Sequence, residues 1–223
     1  MSTSSFLPIK CFLFDLDGTL LDTAPDLLAA LNAVLLHEGR APYTLEQARH
    51  TVSHGSIGML ELAFGSHQTE AEMAARREVF LAYYQANISR YSRLFDAIPD
   101  VLATLEAANI PWGIVTNKPE YLTFPLLQAL NLHSRPRSII GGDTLAVAKP
   151  HPEPLLLAAA QCGIAPEQCL YVGDAERDIV AGRDAGMKTL IAEWGYLNPN
   201  NEHHHWPADG MISNPADMLL WLN

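Results

Sequence analysis

The chain has 223 residues, 48% of them hydrophobic, and a formal net charge of -11. That length suits one large domain or a core plus a smaller insert, with enough apolar residues to bury a sizeable core. The acidic balance excludes general nucleic-acid binding, because no basic field would attract phosphates, although a site for one small anion needs only local positive charge.

No apolar run reaches the roughly 20 residues of a membrane span. The N-terminus lacks a basic start followed by an apolar signal core. No membrane partner is expected. Cys11, Cys162 and Cys169 are odd in number and form no CxxC pair. They read as reduced thiols of a cytoplasmic protein, used for packing.

The first apolar run, Cys11–Phe14, ends at Asp15, with Asp17 two residues on. Thr23-Ala24-Pro25-Asp26 then reads as a helix start of capping-box type. From there to about Arg93 the pattern is helical, as in Leu27–His37, Ile57–Phe64 and Ala71–Tyr84, with no convincing strand. The next apolar runs are Trp112–Val115, ending at Thr116-Asn117, and Ser138–Ile140, ending at Gly141-Gly142-Asp143. Pro152-Glu153-Pro154 opens a helix through Leu155–Gln161 that stops near Gly163. Cys169–Val172 ends at Gly173-Asp174, Thr189–Ala192 follows, and Asn214-Pro215 starts a last short helix, Ala216–Leu222.

Short apolar runs alternating with helices indicate an α/β fold with a parallel sheet covered on both faces. Ligands bind such open sheets beyond the carboxyl ends of the strands. Four of the five runs place polar residues there, so residues far apart in the chain are expected to share one site. The stretch before the second run exceeds what one crossover needs. It reads as an inserted helical domain, 22–92, in a core made of 1–21 and 93–223. Because the insert follows Asp15 directly, a lid is the functional reading and added packing the plain one.

A buried carboxylate is costly unless it is paired, hydrogen-bonded or bound to a cation. Two of them, Asp15 and Asp17, suit a hard cation such as Mg²⁺ or a nucleophile with its general acid/base. A lone DxD is commonly a solvated turn. Gly18-Thr19 adds a tight turn whose free backbone N–H groups would contact an anion. Thr116 offers a hydroxyl to a phosphate oxygen, beside Asn117. Lys149, before Pro150, offers a point charge. Asp174 sits at a strand end, and Asp178 lies four residues later on the same helix face. Capping and the helix dipole account for one of these acids better than for two beside Asp15 and Asp17. Together the clusters suit metal-assisted phosphoryl transfer through a carboxylate.

The segments DLDGT (Asp15–Thr19), VTN (Val115–Asn117), KP (Lys149-Pro150) and GDAERD (Gly173–Asp178), in this order, resemble the haloacid dehalogenase superfamily over nearly the whole chain. The resemblance implies a Rossmann-like core with an inserted helical cap. It implies Asp15 as a nucleophile that becomes an aspartyl-phosphate, and Asp17 as general acid/base with its carbonyl on Mg²⁺. Thr116 would bind the phosphoryl group and Lys149 would neutralise its charge. Asp174 would bind Mg²⁺, with Asp178 supporting it. The second acid implies a phosphatase or a phosphomutase rather than a dehalogenase, because an alkoxide leaving group needs a proton. A non-catalytic relative would be expected to lack one of the four motifs.

DTAPDL (Asp22–Leu27), GGDTL (Gly141–Leu145) and KPHPEPLL (Lys149–Leu156) are similar to the phosphoglycolate phosphatase-like group. The segment Val52–Gly65 resembles its substrate-facing loop, which makes His54, Gly55 and Ser56 expected substrate contacts. That segment and HWPAD (His205–Asp209) also look like a branch acting on N-acetylmuramic acid 6-phosphate. A β-phosphoglucomutase-like mutase needs the same core. The expected partner is a small phosphorylated substrate. His203, His204 and His205 lack the i, i+4 spacing of a helical metal pair and read as part of a surface loop, Asn198–Pro207.

Overall fold

The computed structural model describes residues 7–198 and 203–222. The chain begins with β1 (Cys11–Phe14), buried throughout, and turns sharply into the short β2 (Leu21–Asp22). A helical unit follows: α1 (Ala24–His37), α2 (Leu45–Ala48), a 3₁₀ turn at Arg49–His54, α3 (Gly55–Phe64) and α4 (Glu70–Ala86). α4 starts where Thr69 and Glu72 close a capping box. β3 (Arg93–Leu94) then pairs antiparallel with β2, so the chain leaves and re-enters the core through adjacent strands.

The core continues with α5 (Ile98–Ala107), β4 (Trp112–Val115), α6 (Glu120–Ala129), β5 (Ser138–Ile140) and α7 (Glu153–Cys162). It ends with β6 (Cys169–Gly173), α8 (Glu176–Asp184), β7 (Lys188–Ala192) and β8 (Gly210–Ile212), then 3₁₀ turns over Pro215–Leu222. Six strands form one sheet in the order β5-β4-β1-β6-β7-β8, and every pairing in it is parallel. This is a Rossmann-like α/β fold. Phe14 lies opposite both Ile114 and Val172, so Asp15, Thr116 and Asp174 follow at one carboxyl edge.

Alternation along the strands builds the two faces. Phe12 and Phe14 point into one core with Trp112, Ile114, Leu170, Val172 and the apolar side of α5. Cys11 and Leu13 point into the other with Val115, Cys169, Tyr171 and α7. The helical unit has its own apolar cluster, built on Leu27, Leu31 and Val34 of α1 and on Phe80 and Tyr84 of α4. Those spacings of three and four put each set on one helix face.

All five strands expected from the sequence are present, and the helix ending at Gly163 is α7, with Gly163 at φ 72° in the left-handed region. β8 was not expected. Three residues with one exposed side chain leave no pattern to read, and it exists through its pairing with β7. The last helix is 3₁₀ rather than α. Cys11, Cys162 and Cys169 are free, the first and last buried. His203–His205 form one 3₁₀ turn, while residues 199–202 of the same loop lie outside the described residues. Among the described residues no helix is long and apolar enough to cross a membrane.

The capping-box expectation at Thr23 is corrected. Thr23 sits at φ −97°, ψ −3° and makes no side-chain cap bond. Its hydroxyl donates to Asp17 Oδ1 at 2.5 Å instead. Asp26 accepts from the N–H of Tyr91 at 3.0 Å, and from the N–H and hydroxyl of Ser92 at 2.8 and 2.6 Å. Distant partners outcompeted the local ones, and they tie α1 to the chain's return into the core. Asp26→Ala should therefore destabilise the protein by roughly 2–4 kcal/mol, because it orphans buried donors. Denaturant unfolding measures this, and a loss under about 0.5 kcal/mol, typical of a surface change, would contradict it.

Candidate active site

Asp15 directly follows β1 and is buried. The Lys149 ammonium lies 2.9 Å from Asp15 Oδ1 and 2.8 Å from Asp178 Oδ1. It also reaches the Val115 carbonyl and the Tyr171 hydroxyl, both at 2.7 Å. Asn117 holds this lysine in place. Its amide donates to the Lys149 carbonyl at 2.8 Å and accepts from the Lys149 N–H at 3.0 Å. The Asn117 side chain was expected on the substrate. It is spent on positioning Lys149, because a loop N–H and C=O pair matches a primary amide on both sides.

Asp174 follows β6, and Asp178 lies in the first turn of α8, where its Oδ2 accepts from the Ala175 N–H at 3.0 Å. Asp174 Oδ2 accepts from the Tyr196 N–H at 2.8 Å, and its Oδ1 from the Thr19 hydroxyl at 3.3 Å. Gly18, at φ 91°, packs against this carboxylate so closely that a Cβ would collide with it. The expectation of free N–H groups at Gly18 and Thr19 is corrected. The Gly18 N–H donates to the Leu21 carbonyl at 2.9 Å, and the Thr19 N–H to the Leu16 carbonyl at 3.4 Å. A turn this tight closes on its own backbone.

Among the described residues, Asp15, Asp174 and Asp178 each place a carboxylate oxygen within 4.8 Å of the others. Burial pushes the Asp15 carboxyl up, against the pull of Lys149, and Asp178 adds to the rise. Burial pushes Asp174 up to about 7, with the charges of Asp15 and Asp178 adding. Three clustered buried carboxylates, of which Lys149 pairs with two, favour a further positive charge, and an all-oxygen donor set suits a hard divalent cation. The residues present fit a metal ion.

The Asp17 side chain is not in that cluster. Its two oxygens take the Lys118 ammonium at 3.0 and 3.2 Å. Thr116 directly follows β4, with its hydroxyl accepting from the Lys118 N–H at 3.1 Å. A cleft of about 390 Å³ lies between this edge and the helical unit, lined by Asp15, Asp17, Thr116 and Asn117 on one side and by His54, Gly55 and Ser56 on the other. The helical unit also touches the acidic cluster directly. The Ser53 hydroxyl donates to Asp174 Oδ2 at 3.2 Å, and Arg177 donates to the Ser53 carbonyl at 2.8 Å. Burial, with Arg177 adding, pulls the His54 imidazole below its ordinary value. Arg77 donates to the Ser56 hydroxyl at 3.3 Å.

The sequence reading missed Lys118, Arg177, Arg77 and Tyr84, all of which line the cleft. Lys118 and Arg177 had a signal, since each adjoins a residue already singled out. Tyr84 sits in the apolar stripe of α4, where periodicity cannot separate a pocket wall from a core.

The carboxyl edge of the sheet thus gathers a lysine, a threonine and three buried acids in one place. The family model described as haloacid dehalogenase-like hydrolase matches residues 12–192. The chain belongs to this family. It is 48% identical over 212 residues, 95% of each chain, to a phosphoglycolate phosphatase of Xanthomonas campestris pv. campestris. It is 42% identical to an N-acetylmuramic acid 6-phosphate phosphatase of Pseudomonas aeruginosa, across 95% of this chain and 93% of that one. The crystal structure of a predicted phosphoglycolate phosphatase from Haemophilus somnus superposes with a TM-score of 0.84 at 28% identity, covering 96% of this chain and 98% of that one.

Proposed function

We propose that this hydrolase is a Mg²⁺-dependent phosphatase of small phosphorylated metabolites, phosphoglycolate phosphatase-like, acting through an aspartyl-phosphate on Asp15. The observation that carries the reading is Asp15 at the strand end, in reach of Lys149 and of a two-acid partner set, with the separate carboxyl of Asp17 lining the same cleft. The 48% identical relative supports the substrate class.

Asp15, Asp174 and Asp178 would hold the cation, with the Asp17 carbonyl completing the set. When bound, it offsets charge on the phosphoryl oxygens and on the attacking carboxylate. The Thr116 hydroxyl and the Lys149 ammonium orient the phosphoryl group. Asp15 attacks phosphorus, the ester bond breaks, and Asp17 gives its proton to the leaving oxygen. Asp17 then takes a proton from a water that attacks the same phosphorus, releasing phosphate and restoring Asp15. The helical unit, 22–92, acts as a cap that brings His54 and Ser56 over the leaving group and excludes bulk water. Three free thiols fit a cytoplasmic setting.

The N-acetylmuramic acid 6-phosphate reading is favoured by the 42% identical relative. Phosphate release from both esters should be measured side by side with Mg²⁺ and with EDTA. Chelation should lower kcat by at least about 100-fold, and Mg²⁺ should restore it. Full turnover in EDTA would overturn the cation's role. The higher kcat/KM is expected for 2-phosphoglycolate, and a preference for the sugar phosphate would move the chain to the other branch.

A further inference from the structure

Two groups in the cleft have unfinished chemistry. Tyr84, on α4, is buried and lines the cleft, yet its hydroxyl makes no well-formed hydrogen bond. A buried polar group without a partner is costly and points to a ligand atom. Directly beside it, the Lys118 ammonium sits 4.7 Å from the centre of the Tyr84 ring. Its side chain is only 7% exposed, and its one acidic partner is Asp17. The other buried lysine of the site, Lys149, is shared by Asp15 and Asp178. Lys118 and Tyr84 thus stand together in the part of the cleft that Asp17 lines.

We propose that Lys118 and Tyr84 form a subsite for a carboxylate carried on the carbon next to the ester oxygen, so that this chain prefers short 2-phosphooxy carboxylates. The inference rests on the phosphatase reading and deepens it. A carboxylate has two acceptor oxygens, one for the ammonium and one for the phenol hydroxyl. A hydroxymethyl group of the same size offers no anion to the ammonium, so Lys118 would stay on Asp17. The pairing has a second consequence. In this structure Lys118 and Thr23 tie both oxygens of Asp17. A substrate carboxylate that engages Lys118 competes with Asp17 and frees it to turn toward the ester oxygen. Only a carboxylate close to that oxygen does this. In N-acetylmuramic acid 6-phosphate the carboxylate is many bonds from the phosphate and would have to reach Lys118 by another path.

The test is the ratio of kcat/KM for 2-phosphoglycolate over 2-hydroxyethyl phosphate, which replaces the carboxylate by a hydroxymethyl group. Loss of one charged hydrogen bond predicts a wild-type ratio of roughly 10- to 100-fold. The ratio should fall toward one in Lys118→Met and largely return in Lys118→Arg. Tyr84→Phe should lower it several-fold with little change in melting temperature, since the hydroxyl it removes makes no well-formed hydrogen bond. That second variant decides the matter if Lys118→Met does not fold. Equal slowing of both esters in Lys118→Met would overturn the proposal, because Lys118 would then serve only Asp17 or the phosphoryl group. Equal wild-type rates on both esters would overturn it too, while leaving the phosphatase reading intact. No phosphate from either ester would remove that reading itself.

Discussion

Asp15→Asn should abolish phosphate release while leaving the fold in place. The amide oxygen is a far weaker nucleophile than a carboxylate, so the covalent step has no attacking group. A fall of at least about 10⁴-fold in kcat is expected, by analogy with other nucleophile removals. Folding should survive for a reason visible in the geometry. Asn is nearly isosteric, its oxygen still accepts from Lys149, and Lys149 keeps Asp178 at 2.8 Å. Burial already disfavours charge at Asp15, so neutralising it relieves part of that strain. The check is phosphate release together with a melting curve. Activity within about tenfold of wild type would dismiss the Asp15 mechanism. A variant that is inactive because it is unfolded would show itself in the melt.

The second large effect belongs to Lys149. Its ammonium is buried and meets Asp15, Asp178, the Val115 carbonyl and the Tyr171 hydroxyl. Lys149→Met removes the ammonium that bridges two buried carboxylates, with Asp174 close by. Breaking a buried pair in this way typically costs about 3–5 kcal/mol, because the remaining charges stay uncompensated. The loss should be largest in EDTA and smaller with millimolar Mg²⁺, since a divalent cation offsets the same charge. Turnover should fall at least about 100-fold, as the phosphoryl oxygens lose their fixed counter-charge. Unfolding curves with and without Mg²⁺ test the claim. A variant as stable as wild type in EDTA would show that Lys149 does not hold the cluster together.

The two effects differ in kind, and that difference separates their causes. Removing the Asp15 charge takes away the chemistry and eases the cluster. Removing the Lys149 charge leaves the nucleophile and stresses the cluster. Stability and activity should therefore part company in the first variant and fall together in the second.

Much of the core was legible because buried parallel strands are apolar on both faces. Cys11–Phe14, Trp112–Val115 and Ser138–Ile140 match the strands residue for residue, and β6 and β7 are each one residue longer than expected. The strand ends then located Asp15, Thr116 and Asp174, since polar residues concentrate where a buried strand meets solvent. Lys149 came from its place between a strand and a helix. β8 was invisible because three residues carry too little periodicity, and Tyr84 because a pocket wall and a core share one pattern.

Local signals failed where a polar side chain had a choice of partners. Thr23 looked like a helix cap, but Asp17 took its hydroxyl. Asn117 looked free for substrate, but the Lys149 backbone took its amide. Gly18 looked like an anion cradle, but its N–H closed the turn. What the sequence by itself determined was the layering, the strand ends and the set of reactive residues, because apolar periodicity and motif spacing are properties of neighbours in the chain. Only the tertiary structure decided which acid meets which cation, as with Asp17 and Lys118, 101 residues apart. The reason is that a buried donor without an acceptor is costly, and the acceptor it takes is one the fold brings near.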